Sequence, residues 1–409
     1  MTLSEDTLKT MLLDMLASAR VVEPCVTGRL RETDWLRLTQ IAQQHRVVPM
    51  LHAQAKRNGA AWGVPHDVAA RWSAAYQRSA MKLLAQQALL LQLDQLMSAA
   101  AISYAALKGA GLAWHVYPDP AIRPMRDIDI LVAPEDAVRA FKALLAAGFV
   151  QDEACSVSLD AAIAEHKHLP ALAAPHSAFS VEIHCRLQNH HFVDADASRF
   201  DDAARLLSGR VWRTVAGRPI PFLSDTDALL HLIHHAVYEH RFNNGPLIFN
   251  DIALFVPRSA VDWSQFWDVA ERCGWARGCQ LLFDLTACFH GRECLGDQPR
   301  VEATPRDVMH QAALLTLQDY EHRVAVAAWS EMLSVGSVPK MAALLARKLR
   351  PKPFILSAFN HTPGGAKRAW WHYPRWLYAR LFGRLANAMR PQMRAEIRRG
   401  AGLAAWLQD

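Results

Sequence analysis

Apolar residues recur at three- and four-residue steps through the first quarter of the chain, the period of helices with one buried face. Leu8, Met11, Leu12, Met15 and Leu16 set that period, and Leu36, Ile41, Val47 and Val48 continue it. Leu83, Leu84, Leu89, Leu90, Leu93 and Leu96 then carry it through a run rich in Ala and Gln, which favours helix. The texture changes near residue 99. Residues 102–107 read as a short strand leading into Lys108-Gly109-Ala110-Gly111, and the helix expected after them is broken by Pro118 and Pro120. Residues 127–132 alternate as a strand, and 135–147 predict a helix closed by Gly148 with an extended piece from Phe149. Residues 179–185 alternate again, placing Glu182 and His184 on one face, and 211–223 read as a hairpin turning at Ala216-Gly217. From Asp225 onward Leu229, Leu230, Leu232, Ile233 and Val237 line a helical core face.

These elements predict an α+β fold in four parts. A helical region spans 1–98, a small α/β core 99–224 and a helical domain 225–350. A tail, 351–409, follows a connector broken by Pro351, Pro353, Pro363, Gly364 and Gly365. At 409 residues the chain is too long for one small core. Its hydrophobic content of 51% with 21% charged residues is that of a water-exposed globular protein. The acidic, polar start Met1-Thr2-Leu3-Ser4-Glu5-Asp6 is unlike a secretory signal, and the longest apolar run is interrupted by Gln92, Asp94 and Gln95, so no membrane-spanning helix is expected. Seven cysteines without a C-x-x-C pair fit free thiols and a cytoplasmic setting.

Charge is distributed unevenly. Residues 340–409 carry 14 Lys and Arg against Glu396 and Asp409, a net +12, which leaves −6 for the rest of a chain whose total is +6. Trp370, Trp371, Tyr373, Trp376, Tyr378 and Phe382 are interleaved with those cations. Such a tail can bind RNA, lie on an anionic membrane surface, or pack against a body of opposite charge. The last reading is the plainest.

The chemistry concentrates in Arg123-Pro124-Met125-Arg126-Asp127-Ile128-Asp129-Ile130-Leu131-Val132. Strand alternation puts Asp127 and Asp129 on the same face, where two like charges are tolerated best with a cation between them. Carboxylate oxygens beside two arginines suit Mg²⁺ carrying a polyphosphate. Alone, a D-x-D pair is most often a solvated strand end. Its weight comes from chain order: a strand ending in Leu107-Lys108-Gly109, the acidic strand, then a strand with Val181-Glu182-Ile183-His184.

In that order the residues resemble the nucleotidyltransferase superfamily that includes DNA polymerase beta. More narrowly they resemble a bacterial uncharacterised nucleotidyltransferase family with an L-K-G motif followed by R-x-x-R-D-I-D-x-L-V. The resemblance is strongest over residues 107–187 and implies a minimal nucleotidyltransferase fold, a mixed sheet with helices packed on it. It implies that Asp127, Asp129 and Glu182 hold two Mg²⁺ ions and that Glu182 acts on the acceptor's proton. It further implies that Lys108 and Gly109 meet the triphosphate of an NTP and that Arg123 and Arg126 clamp phosphate oxygens. One position departs: Ala110 stands where the superfamily pattern has Gly or Ser. The activity implied is transfer of an NMP to an acceptor hydroxyl or phosphate on a small molecule, peptide or tRNA, with release of pyrophosphate. Two other readings stand beside it: a nucleotide-binding protein without turnover on the same scaffold, and an RNA-binding protein acting through its basic tail.

His231, His234 and His235 fall at i, i+3 and i+4, a spacing open to zinc, with Glu239 and His240 close behind. No H-E-x-x-H arrangement is present, and the leucines of the same segment favour a structural or substrate-pocket role. With His184 and Asp251, His235 is expected to border the acceptor.

Overall fold

The computed structural model describes residues 3–17, 22, 27–151, 159–175, 177, 179–188, 200–299, 302–320, 322–334, 346, 349, 373–378 and 391–408. The expected connector at Pro351–Gly365 and the aromatics Trp370, Trp371 and Phe382 lie outside these residues.

Among the described residues, four helices precede the sheet: α1 (Glu5–Leu16), α2 (Glu32–Gln44), α3 (Val48–Asn58) and the long α4 (His66–Ala99). The sheet region alternates strands with short helices. It runs β1 (Tyr104–Ala106), α5 (Gly109–His115), β2 (Asp127–Val132), α6 (Ala137–Ala146), β3 (Val150–Gln151), α7 (Leu159–Glu165), β4 (Leu172–Ala173), β5 (Ser180–His184), α8 (Ala203–Ser208), β6 (Val211–Val215) and β7 (Arg218–Phe222). Helices return with α9 (Asp225–His234), α10 (Leu247–Phe255), α11 (Trp263–Arg272), α12 (Ala276–His290), α13 (Arg306–Leu315), α14 (Arg323–Ser334) and α15 (Pro391–Trp406). The fold is α+β with helical flanks, as the pattern predicts.

The strands form one mixed sheet in the order β3-β4-β5-β2-β1-β7-β6. β2 lies at its centre, antiparallel to β1 and parallel to β5. Its alternation divides two cores. Ile128, Ile130 and Val132 are fully buried on one face with Leu89, Leu90, Leu93 and Met97 of α4 and Phe141 and Leu144 of α6. Each such side chain contributes about 1.5–3 kcal/mol. Leu131 turns the other way, into a larger core shared by Leu8 and Leu12 of α1, Trp72 of α4, Leu229 and Ile233 of α9 and Phe283 of α12. The helical regions before and after the sheet therefore share one core, and Asp127 and Asp129 open onto the sheet face that this layer covers.

The hairpin turns at Ala216 and Gly217 with φ +48° and +80°, both positive as a tight two-residue β-turn requires. At the other end of the chain, α15 packs on α13 and α14 and is tied to α1 by ion pairs from Lys9 to Glu396 (3.1 Å) and from Arg399 to Asp6 (2.5 Å). Trp406 lies under the guanidinium of Arg277, with 5.8 Å between Cζ and the ring centroid. This described part of the basic tail packs against the acidic body.

Candidate active site

Register does what sequence separation hides. β2 and β5 pair in parallel with Asp127 opposite Ser180 and Asp129 opposite Glu182, so carboxylates 53 positions apart become cross-strand neighbours on one face. His184, two residues further along β5, is fully buried, and its Nε2 donates to Asp129 Oδ1 at 2.9 Å and lies 3.4 Å from Glu182 Oε2. Asp129, Glu182 and His184 present ligand atoms all within 4.8 Å of one another.

Lys108 completes the grip on Asp129. Its Nζ lies 3.2 Å from Asp129 Oδ2, and the backbone is pinned beside it by the Leu107 amide, which donates to the Asp129 carbonyl at 2.9 Å. Lys108 adopts φ +45°, a left-handed conformation that costs a non-glycine residue on the order of 1 kcal/mol and persists only where surrounding contacts hold it. Gly109 follows. A Cβ on it would stand 2.8 Å from Met125 Sδ and 2.9 Å from Arg123 Nη1, so the glycine lets the 123–126 segment close over the start of α5. Gly109→Ala is expected to destabilise by about 1–2 kcal/mol in urea melts through this overpacking. An unchanged midpoint would show that Met125 simply swings aside.

The three carboxylates differ in charge. Burial opposes the charge on Asp129, but Lys108 and the His184 bond outweigh it and hold the group well below the usual carboxylate range. Burial likewise opposes the charge on Glu182, and His184 and His168 outweigh it to leave a lowered pKa. For Asp127, burial with the negative charges of Asp129 and Glu182 outweighs Lys108 and Arg46 and pushes it up to about 6. The three groups that come within metal-ligand distance of one another are Asp129, Glu182 and His184; Asp127 borders the same cavity but is not one of them.

A cavity of about 570 Å³ opens over this face. It is bordered by Lys108, Gly109, Arg123, Arg126, Asp127, Asp129 and Glu182, and also by His235 and Asp251. The structure therefore brings nearly every residue singled out from the sequence to one place. His184 is not on the wall; it lies beneath Asp129 and orients it. Arg123 reaches the wall but is engaged elsewhere: Nε and Nη2 donate to Asp251 Oδ1 and Oδ2 at 2.7 and 2.9 Å, and Tyr117 Oη donates to the same carboxylate at 2.7 Å. Asp251 is thereby committed to anchoring the arginine segment.

The histidine group spans the point where α9 gives way to a π-helical turn, His235–Glu239; the His235 amide still donates to the His231 carbonyl, and the two rings lie 6.1 Å apart. His231 and His234 are buried, and His234 packs on Trp275 with 4.6 Å between ring centroids. His235 and His240 face the cavity instead. Glu239 accepts from His235 Nδ1 at 2.7 Å and from Lys167 Nζ at 2.8 and 3.1 Å. Burial disfavours its charge, yet these two partners drive its pKa far below the usual range, while burial and Lys108 hold His235 well below its ordinary value. His235, Glu239 and His240 also come close enough to ligate a metal, although Lys167 already occupies the carboxylate.

Sequence reasoning missed Lys167, His168, Arg46, Tyr320 and Arg323, which all border the cavity. Lys167 and His168 sit just before the β4–β5 pair, and His168 Nε2 lies 3.8 Å from Glu182 Oε2. Their only sequence signal is a Lys-His pair ahead of an apolar run, which carries little weight unaided.

Among the described residues no helix is long and apolar enough to cross a membrane. The comparisons with curated proteins and with solved structures gave no match. A family model described as uncharacterised nucleotidyltransferase matches residues 31–291, a span that contains β1, β2, β5 and every carboxylate on the cavity wall. On that match and this geometry, the chain belongs to the uncharacterised nucleotidyltransferase family.

Proposed function

We propose that the protein transfers an NMP from an NTP, ATP among the candidates, to an acceptor hydroxyl or phosphate and releases pyrophosphate. The observation that carries this reading is the register of β2 on β5. It sets Asp129 beside Glu182, with Asp127 on the same face, at the floor of a cavity large enough for a nucleotide and a small acceptor. Asp127, Asp129 and Glu182 would hold Mg²⁺, two ions by analogy with this chemistry. When bound, the metal offsets phosphate charge and favours the acceptor oxygen as a nucleophile.

The residues themselves divide the remaining work. Lys108 keeps Asp129 ionised and supplies a point charge beside the cavity. His184 fixes the orientation of Asp129 from below. Glu182, ionised and bordered by His168, is placed to accept the acceptor's proton. The acceptor occupies the half of the cavity bordered by Lys167, His168, His235, Glu239 and His240, whose donors and acceptors suit a hydroxyl-bearing small molecule. A peptide or tRNA acceptor would have to present its reacting group within the same enclosure.

The test is incubation with each of the four α-labelled NTPs and Mg²⁺, supplied with fractionated small molecules, peptides and tRNA. Label should move into one fraction with pyrophosphate released, and neither should occur without a divalent ion. Absence of both transfer and pyrophosphate release with every NTP and fraction would count against catalysis and in favour of a binding role for the same cavity.

A further inference from the structure

Some half-buried arginines in this chain donate to backbone carbonyls, as Arg37, Arg186 and Arg210 do, and others meet a carboxylate. Arg123 pairs with Asp251, Arg205 with Asp227 and Arg213 with Asp225. Three arginines on the cavity wall, half-buried Arg46 and Arg323 and exposed Arg126, have neither kind of partner among the described residues. Arg46 lies between α2 and α3, Arg126 immediately precedes β2, and Arg323 opens α14. Among the described residues no carboxylate lies within ion-pair distance of any of them.

Instead they gather around one ring. Arg126 Nη1 donates to Tyr320 Oη, and its Cζ is 4.8 Å from the Tyr320 ring centroid. Arg323 Cζ stands 3.7 Å from the same centroid. Arg46 is close enough to both that burial and their like charges press it down to about 10, with only partial relief from Tyr320 and Asp127. Its backbone is left-handed, φ +58°, held by its amide donating to the Gln43 carbonyl at 3.1 Å. Like charges crowded at the rim of a cavity, with no carboxylate at ion-pair distance among the described residues, mark a site for an anionic ligand.

We propose that Arg46, Arg126 and Arg323, spaced by Tyr320, bind the β- and γ-phosphates of the incoming nucleotide. This rests on the NMP-transfer reading of the same cavity. The cluster adjoins Asp127, which follows Arg126 in the chain and is close enough to Arg46 to act on its charge, so a triphosphate tail held there would leave the part of the cavity around Lys167 and Glu239 to the acceptor. Guanidinium forks grip phosphate oxygens without reading the base, so the cluster selects for the length of the phosphate chain. Tyr320 and Arg323 lie beyond the family-matched span of 31–291, so the C-terminal helical region supplies part of the substrate site.

The experiment measures binding of inorganic tripolyphosphate and of nucleoside monophosphates to the full-length, metal-free protein by calorimetry. Wild type is compared with Arg46→Ala, Arg323→Ala and Arg323→Lys, and the KM for NTP is followed in the same set. Tripolyphosphate affinity should fall about tenfold or more in each alanine variant, with monophosphate affinity unchanged. Lysine should restore only part of it, because a point charge cannot reproduce the fork. Unchanged tripolyphosphate affinity in both alanine variants would overturn the proposal. So would an equal loss of monophosphate affinity, which would place the α-phosphate or an acceptor phosphate there. Because none of the three is paired, their removal should leave the melting temperature unchanged or raised, which separates lost binding from lost folding. Tripolyphosphate binding through the cluster without NTP turnover would remove the transfer reading alone. Turnover with an unaltered KM in Arg323→Ala would remove the cluster alone.

Discussion

Asp127→Asn is expected to lower nucleotidyl transfer by at least ~10³-fold, about 4 kcal/mol of transition-state stabilisation, while raising the stability of the metal-free protein. The activity loss follows from removing one of the oxygen ligands that the cavity floor offers. The stability gain follows from electrostatics, since Asp127 is held among the charges of Asp129 and Glu182 with burial added, and its pKa rises to about 6. A group whose folded pKa lies above its unfolded value, near 3.9, stabilises fully below that lower value and loses the contribution as pH rises through the higher one. Metal-free wild type should therefore lose stability relative to Asp127→Asn between about pH 4 and 6, by roughly 3 kcal/mol. Asp129→Asn should behave oppositely in folding though equally in catalysis. Asp129 is depressed by Lys108 and His184, so its contribution is present above its unfolded pKa and lost as pH falls. Its neutral replacement strands a buried lysine. Thermal melts across pH 4–8 alongside label transfer check both, and a shift of the same sign in the two variants would contradict this account of the charge balance.

Local pattern carried much of this fold and little of its geometry. The period-2 alternation of Asp127–Val132 locates both the strand and the two faces it presents, because burial of Ile128, Ile130 and Val132 leaves the acids no other side. The helical periods before residue 99 and after 225 are legible for the same reason, and Ala216-Gly217 marks its turn through backbone chemistry. Whatever depends on pairing across long separations is invisible. Nothing local states that Asp129 faces Glu182, that Arg123 finds Asp251, or that Arg323 returns to stand beside Arg126. The histidines show a subtler failure. The i, i+3, i+4 spacing does keep the His231 and His235 rings 6.1 Å apart, but His234 turns to Trp275, and the group that gathers at the cavity is His235, Glu239 and His240, on the π-helical turn and just after it. Gly109 was legible as a constrained position, but the constraint seen is its contact with Met125 and Arg123.

Arg123→Ala should destabilise the fold by about 3–5 kcal/mol, because it abandons a buried carboxylate. The Arg123 and Asp251 side chains are only 11% and 5% exposed and meet in a two-pronged pair, with Tyr117 as a further donor. That pair ties the segment before β2 to α10 and so positions Met125 against Gly109 and Arg126 at the cavity rim. Removing both charges together is less damaging than removing one, since no uncompensated ion remains. The double variant Arg123→Met with Asp251→Leu should therefore be more stable than Arg123→Ala alone, and a double-mutant cycle in urea should depart from additivity by more than 1 kcal/mol. The same variants decide what Arg123 does. A phosphate clamp predicts a raised KM for NTP with an ordinary unfolding midpoint, whereas an anchor predicts a lowered midpoint and a loss of transfer that the double variant only partly repairs. Additive energies, or an Arg123→Ala protein within about 1 kcal/mol of wild type, would return Arg123 to the phosphates and leave the position of the arginine segment to be explained by Gly109 and Met125 alone.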